Sequence, residues 1–160
     1  MKSGSIVLTL GLMLGVAGAV KVYCEKKNKD KLAVARAQAE KHLKMFLLTD
    51  HWLECRREGR TAEDFFAAND IHKIAIYGMS YIGQSLYSEL KDSNVEVVCA
   101  IDRNTKGIYT PLQLYQPNDD IPEVDAVVIT ALTQYDTIAE ELSKHISAVM
   151  LPVEDVIYSI

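Results

Sequence analysis

The chain has 160 residues, 49% of them hydrophobic, and a formal net charge of -5 at pH 7. That length fits one modest domain with appendages and excludes two full domains. The acidic balance, with no basic field over the C-terminal two-thirds, excludes nucleic acid as the main partner. Cys24, Cys55 and Cys99, without CxxC spacing, exclude a disulfide framework or zinc site and suit a reducing compartment.

Ser5 to Val20 holds no charged residue, and the apolar run continues past Lys21 through Val22 and Tyr23. With Lys21 snorkelling, about 18–19 residues are available, the short end of what spans a bilayer as a helix. Residues 1–24 are therefore expected to form a single-pass transmembrane anchor, with Tyr23 as an interfacial aromatic. Lys2 lies on one side and Lys21, Lys26, Lys27, Lys29 and Lys31 on the other. The positive-inside rule then places the C-terminal domain in the cytoplasm, at the inner membrane of the cell. A cleaved signal peptide is the competing reading, because Ala17-Gly18-Ala19 has the small-x-small form of a cleavage site. A single lysine in the n-region and a basic flank on the far side favour the uncleaved anchor. Gly11, Gly15 and Gly18 share a helix face, and Gly11–Gly15 is a GxxxG pattern that would allow a homodimer. The alternative is that glycine is simply common in such helices.

Residues 25–70 read as a helical linker. From Glu25 to about Arg57 the pattern is a long charged helix in which Leu32, Ala35, Ala39, Leu43 and Phe46 fall on one stripe. A short coiled coil and a solvated stalk both fit its first half. From Leu43 the segment becomes too apolar for a free stalk, so its second half is expected to pack on the domain. Gly59 is a helix stop, and Thr61 with Asp64 is a capping-box pattern opening a short helix that carries Phe65 and Phe66.

Residues 71–160 read as an α/β domain. Lys73–Tyr77 is a short apolar run consistent with a buried parallel strand, and it leads into Gly78-Met-Ser80-Tyr-Ile-Gly83 and an amphipathic helix, Gln84–Leu90. A second strand, Val95–Ile101, ends at Asp102, 19 residues after Gly83. Strand, glycine turn, helix, strand and acidic residue form the order of a dinucleotide-binding fingerprint. Gly78 permits the sharp turn, the next fingerprint position brings backbone amides to a pyrophosphate at the helix N-terminus, and Gly83 lets helix and strand approach. Asp102 is placed to accept hydrogen bonds from a ribose, and Arg103 is either a 2′-phosphate contact or a solvated loop residue. The middle glycine is Ser80 here, whose Cβ enters the space of the phosphate while its hydroxyl offers a donor. The alternative is that Gly78 and Gly83 serve packing alone, in a fold that binds nothing.

Further along, Gly107–Tyr109 is expected as a short third strand, Pro111–Pro122 as a polar loop and Val124–Thr130 as a buried strand. Tyr135–His145 is expected as a helix with Ile138 and Leu142 inward, Ala148–Leu151 as the last strand and Val153–Tyr158 as a closing helix. Right-handed crossovers order the sheet 3-2-1-4-5 in a Rossmann-like fold. The ligand cleft would then be lined by Gly78–Tyr81, Asp102–Arg103 and Thr130–Leu132, with Gly78, Ser80, Tyr81, Gly83, Asp102, Arg103 and Thr130 as the candidate cofactor-binding residues.

KIAIYGMSYIGQSLYSEL, SNVEVVCAIDRN and PEVDAVVITAL, with the preceding Trp52-Leu53 and Gly59, resemble a bacterial family of short Rossmann-like domains over about two-thirds of the chain. The resemblance implies an NAD(P)-binding-like fold and an association with cell-surface polysaccharide biosynthesis and glycosyltransferases. It implies no catalytic residue.

A dehydrogenase needs a substrate region and a proton-transfer group, and only about 60 residues follow Asp102. His42, His51, His72 and His145 lie on the linker or away from the cleft, and Tyr81 is followed by Ser85 where a Tyr–Lys pair would need lysine. The expectation is no self-sufficient enzyme and no metal site. Two functions fit: a module binding NAD(P) or a nucleotide-sugar at the inner membrane face, or a non-catalytic interaction module for a membrane-associated biosynthetic protein.

Overall fold

The computed structural model describes the backbone from Ser3 and the side chains of Lys21 and of Tyr23 to Ile160. It divides into two compact units, residues 1–42 and 43–160. The first is helical, part of α1 (Ser3–Arg57), and its described side chains are all exposed. Among the described residues no helix is long and apolar enough to cross a membrane. The expected anchor at 1–24 and its Gly11/Gly15/Gly18 face lie almost wholly outside the residues whose side chains are described.

The second unit begins at Leu43, inside the helix, rather than at Ile71. Leu48, Trp52 and Cys55, three or four residues apart, turn one face of the helix into the core. α1 ends in a Schellman motif: Gly59 takes φ +79°, Arg60 N–H donates to Cys55 O at 2.9 Å and Gly59 N–H to Arg56 O at 3.2 Å. α2 (Ala62–Ala68) opens at Thr61, whose N–H donates to Asp64 Oδ2 at 2.7 Å.

The sheet contains β1 (Lys73–Tyr77), β2 (Glu96–Ile101), β3 (Leu114–Tyr115), β4 (Ala126–Ile129) and β5 (Val149–Pro152). All pairs are parallel and the order is β3-β2-β1-β4-β5, an arrangement compatible with a Rossmann-like fold. α3 (Tyr81–Leu90), α4 (Tyr135–Leu142) and α5 (Val153–Tyr158) complete the unit. Strand alternation splits the core in two. Ile74, Ile76, Ala126 and Val128 face a cluster shared with the end of α1, α2, α3 and α5, while Ala75, Tyr77, Val127 and Ile129 face Ile138 and Leu142 of α4.

One strand is not where the sequence pattern put it. Gly107 adopts φ +80°, which makes a turn, and Tyr109 is 96% exposed; the edge strand is Leu114–Tyr115, inside the expected polar loop. Its pairing is set by main-chain bonds, Ala100 N–H to Gln113 O and Asp102 N–H to Tyr115 O, rather than by an apolar alternation.

Candidate functional site

The glycine turn connects β1 to α3 at the carboxyl end of the two central strands. Gly78 has φ +91°, a conformation L side chains rarely adopt, and its N–H donates to Ile101 O at 2.8 Å. A Cβ on Gly78 would sit 2.8 Å from Thr130 Oγ1. At Gly83 a Cβ would sit 2.1 Å from Gly78 O, so α3 lies on the turn at a separation only glycine allows. Both glycines therefore have a packing reason for being there.

Met79 anchors the turn by burying its side chain in the α3 side of the core. Ser80 is the N-cap residue of α3; it is exposed and its hydroxyl makes no capping bond. Tyr81, the first residue of α3, is 80% exposed. The first turn of a helix carries N–H groups without intrahelical partners, and here no side chain of the N-cap residue takes one up.

Asp102 reaches across from the end of β2. Its Oδ2 accepts from Met79 N–H at 3.3 Å and its Oδ1 from Asn104 N–H at 2.9 Å. The carboxylate thus stands beside the turn. Gln84 supports the same turn, its Nε2 donating to Met79 O at 3.1 Å.

Two other expected site residues are engaged by the protein itself. Thr130 is buried; its N–H donates to Tyr77 O at 3.0 Å, and its hydroxyl lies 3.0 Å from Tyr77 O and 2.6 Å from Gly78 O. It clamps the turn to β4. Arg103 pairs with Glu141 of α4, and that carboxylate raises the guanidinium pKa further above its already high value. Burial raises the neighbouring Tyr77 phenol, with Arg103 opposing the shift. Arg103 is therefore drawn to α4, while Gly78, Met79, Gly83 and Asp102 form one connected cluster with exposed Ser80 and Tyr81 at its rim. Among the described residues no group of His, Cys, Asp and Glu is arranged to hold a metal ion.

Met79 lies within the cleft expected from sequence, whereas Gln84, Asn104 and Glu141 support the site without having been marked by the sequence pattern. Asn104 and Gln84 stand close in sequence to the fingerprint they support. For Glu141, 38 residues beyond Arg103, no local pattern marks the pairing.

Outside the cleft, Glu89 of α3 joins three elements: Oε2 accepts from Trp52 Nε1 at 2.8 Å, Oε1 accepts from Ala62 N–H at 2.7 Å, and Arg56 Nε lies 3.7 Å from Oε2. A shallow groove of about 230 Å³ between α1 and α3 is lined by Thr49, Trp52, Leu53, Arg56, Ser85 and Glu89.

A family model described as C2185-like, N-terminal, matches residues 70–149, which takes in β1 through the first residue of β5 and the whole glycine turn. No curated protein and no solved structure was found to match the chain.

Proposed function

The chain belongs to the C2185-like family, and we propose that its α/β unit is a binding module for a nucleotide or nucleotide-sugar, held at the inner face of a membrane by residues 1–24. The observation that carries this reading is the pairing of an uncapped α3 N-terminus at Ser80 with the Asp102 carboxylate 3.3 Å from Met79 N–H. A diphosphate takes the free amides and the helix dipole, and the ribose hydroxyls donate to Asp102. NAD(P) and UDP-sugars share that diphosphate–ribose chemistry. With Arg103 paired to Glu141, a ribose with a free 2′-hydroxyl suits the site better than a 2′-phosphate. The likeness of KIAIYGMSYIGQSLYSEL to surface-polysaccharide-associated domains supports a role accessory to that biosynthesis. Thermal denaturation of the full chain with 1 mM of NAD(H), NADP(H) or a UDP-sugar tests this: a ligand bound with Kd near 10 μM stabilises by about 2.7 kcal/mol.

A second reading is favoured by a separate observation. Leu43, Phe46, Leu47 and Leu53 are about half or more exposed on the segment of α1 whose other face is buried. A ligand-free interaction module would use that outer face to dock a membrane-associated biosynthetic protein. Co-purification of one partner that survives Ser80→Asp and is lost in Phe46→Glu/Leu53→Glu supports it; retention of the partner by the latter variant overturns it.

A further inference from the structure

The segment Lys21–Lys31 carries five lysines against Glu25 and Asp30, a net of three positive charges in a chain whose overall charge is -5. All five lysines are exposed, and among the described residues none is in an ion pair. Lys27 Nζ lies 6.0 Å above the ring of Tyr23, itself exposed. At 100° per residue, positions 21, 26, 27, 29 and 31 are spread around the helix rather than gathered on one face. A single basic face suits a helix lying on a surface; a collar of charge suits one passing through a layer of anions. The collar is about 15 Å long at 1.5 Å per residue. That matches one headgroup layer, roughly 5–8 Å, plus a Debye length of about 8 Å.

We infer that Lys21–Lys31 is a docking collar for anionic phospholipid headgroups, entered from the uncharged run that ends at Val20. Each basic residue near such a surface favours it by roughly fivefold, and Tyr23 sits where interfacial aromatics sit. The inference rests on the membrane reading of residues 1–24 but is independent of what the α/β unit binds.

Cys24 lies within the collar and is exposed, whereas Cys55 and Cys99 are buried. An environment-sensitive dye on Cys24 of the full chain therefore reports on the collar alone. The labelled chain is floated with vesicles of phosphatidylcholine, or of phosphatidylcholine and phosphatidylglycerol at 7:3. Expected are flotation with both, and a quenching constant for the uncharged quencher acrylamide that is clearly lower in the anionic vesicles. High salt, or Lys26→Glu/Lys29→Glu, abolishes that difference, and soluble glycerol phosphate does not reproduce it. Flotation with both but equal quenching overturns the collar and leaves the anchor standing. Flotation with neither overturns both.

Discussion

Trp52 and Glu89, 37 residues apart, are joined by an indole N–H donating to a carboxylate at 2.8 Å, and Glu89 is only 8% exposed. The same carboxylate takes Ala62 N–H at the first turn of α2. The end of α1, the start of α2 and the last turn of α3 are thus tied at one anion. The α/β unit, which begins at Leu43, thus includes the end of α1 that supplies Trp52 and Arg56 to this carboxylate.

Breaking this tie is expected to be costly. Glu89→Ala strands the indole N–H and the Ala62 amide and is expected to destabilise by about 2–4 kcal/mol. Trp52→Phe keeps most of the burial and loses one charge-assisted bond, about 1–2 kcal/mol. Because both act on one bond, urea denaturation of the double variant should show less than the sum of the two losses. Additive losses would contradict the tie.

Ser80 separates fold from binding. Ser80→Asp replaces one N-cap residue by another of equal preference, so apo stability should stay within about 0.5 kcal/mol. Its carboxylate would repel a diphosphate from the α3 N-terminus and remove ligand-induced stabilisation. Ser80→Gly should increase that stabilisation by clearing the Cβ from the phosphate path. Gly83→Ala, by contrast, drives a Cβ against Gly78 O and is expected to cost about 1–3 kcal/mol or more with no ligand present. Thermal melts of the three variants with and without ligand check the set.

Asp125 gives the fold a pH dependence of known sign. Its Oδ2 accepts from His72 N–H at 2.9 Å and Lys73 N–H at 2.7 Å, bonds that hold its pKa below the ordinary aspartate value, His72 first. A depressed folded pKa contributes stability that is present above the unfolded value, near 3.9, and lost as pH falls through the folded one. The melting temperature of Asp125→Asn should therefore lie below that of the parent at pH 7, and the gap should close below about pH 4. A gap of constant size from pH 7 to pH 3 would contradict this.

The thiols should separate by reactivity. Cys24 is exposed, Cys55 is buried, and burial pushes Cys99 up to about 11. In a disulfide-exchange assay at pH 8 the native chain should show one fast thiol, and the denatured chain three. A second fast native thiol would mean that the core around Cys55 or Cys99 opens.

Much of the fold was legible because the domain alternates short apolar runs with glycine turns. β1 and α5 fall on their expected residues, and the strand order follows from right-handed crossovers. β3 was not legible: two half-buried residues paired through main-chain bonds have no side-chain period to read, whereas Ile108 and Tyr109 imitate one. In the site, Gly78 and Gly83 announce a tight turn and a close approach, and the structure gives each its contact. The hydroxyl of Thr130 turning back to the Tyr77 and Gly78 carbonyls, and Arg103 reaching Glu141, are long-range polar pairings that leave no local mark.

The central claim is that the glycine turn, the α3 N-terminus and Asp102 take up a diphosphate–ribose ligand. Its most direct test is isothermal titration of the full chain and of Ser80→Asp with NAD(H), NADP(H) and UDP-sugars. The account predicts saturable binding of at least one by the parent chain, lost in Ser80→Asp while that variant's apo melt is unchanged. No heat of binding from any of them at millimolar concentration, or equal binding by the two proteins, would contradict it.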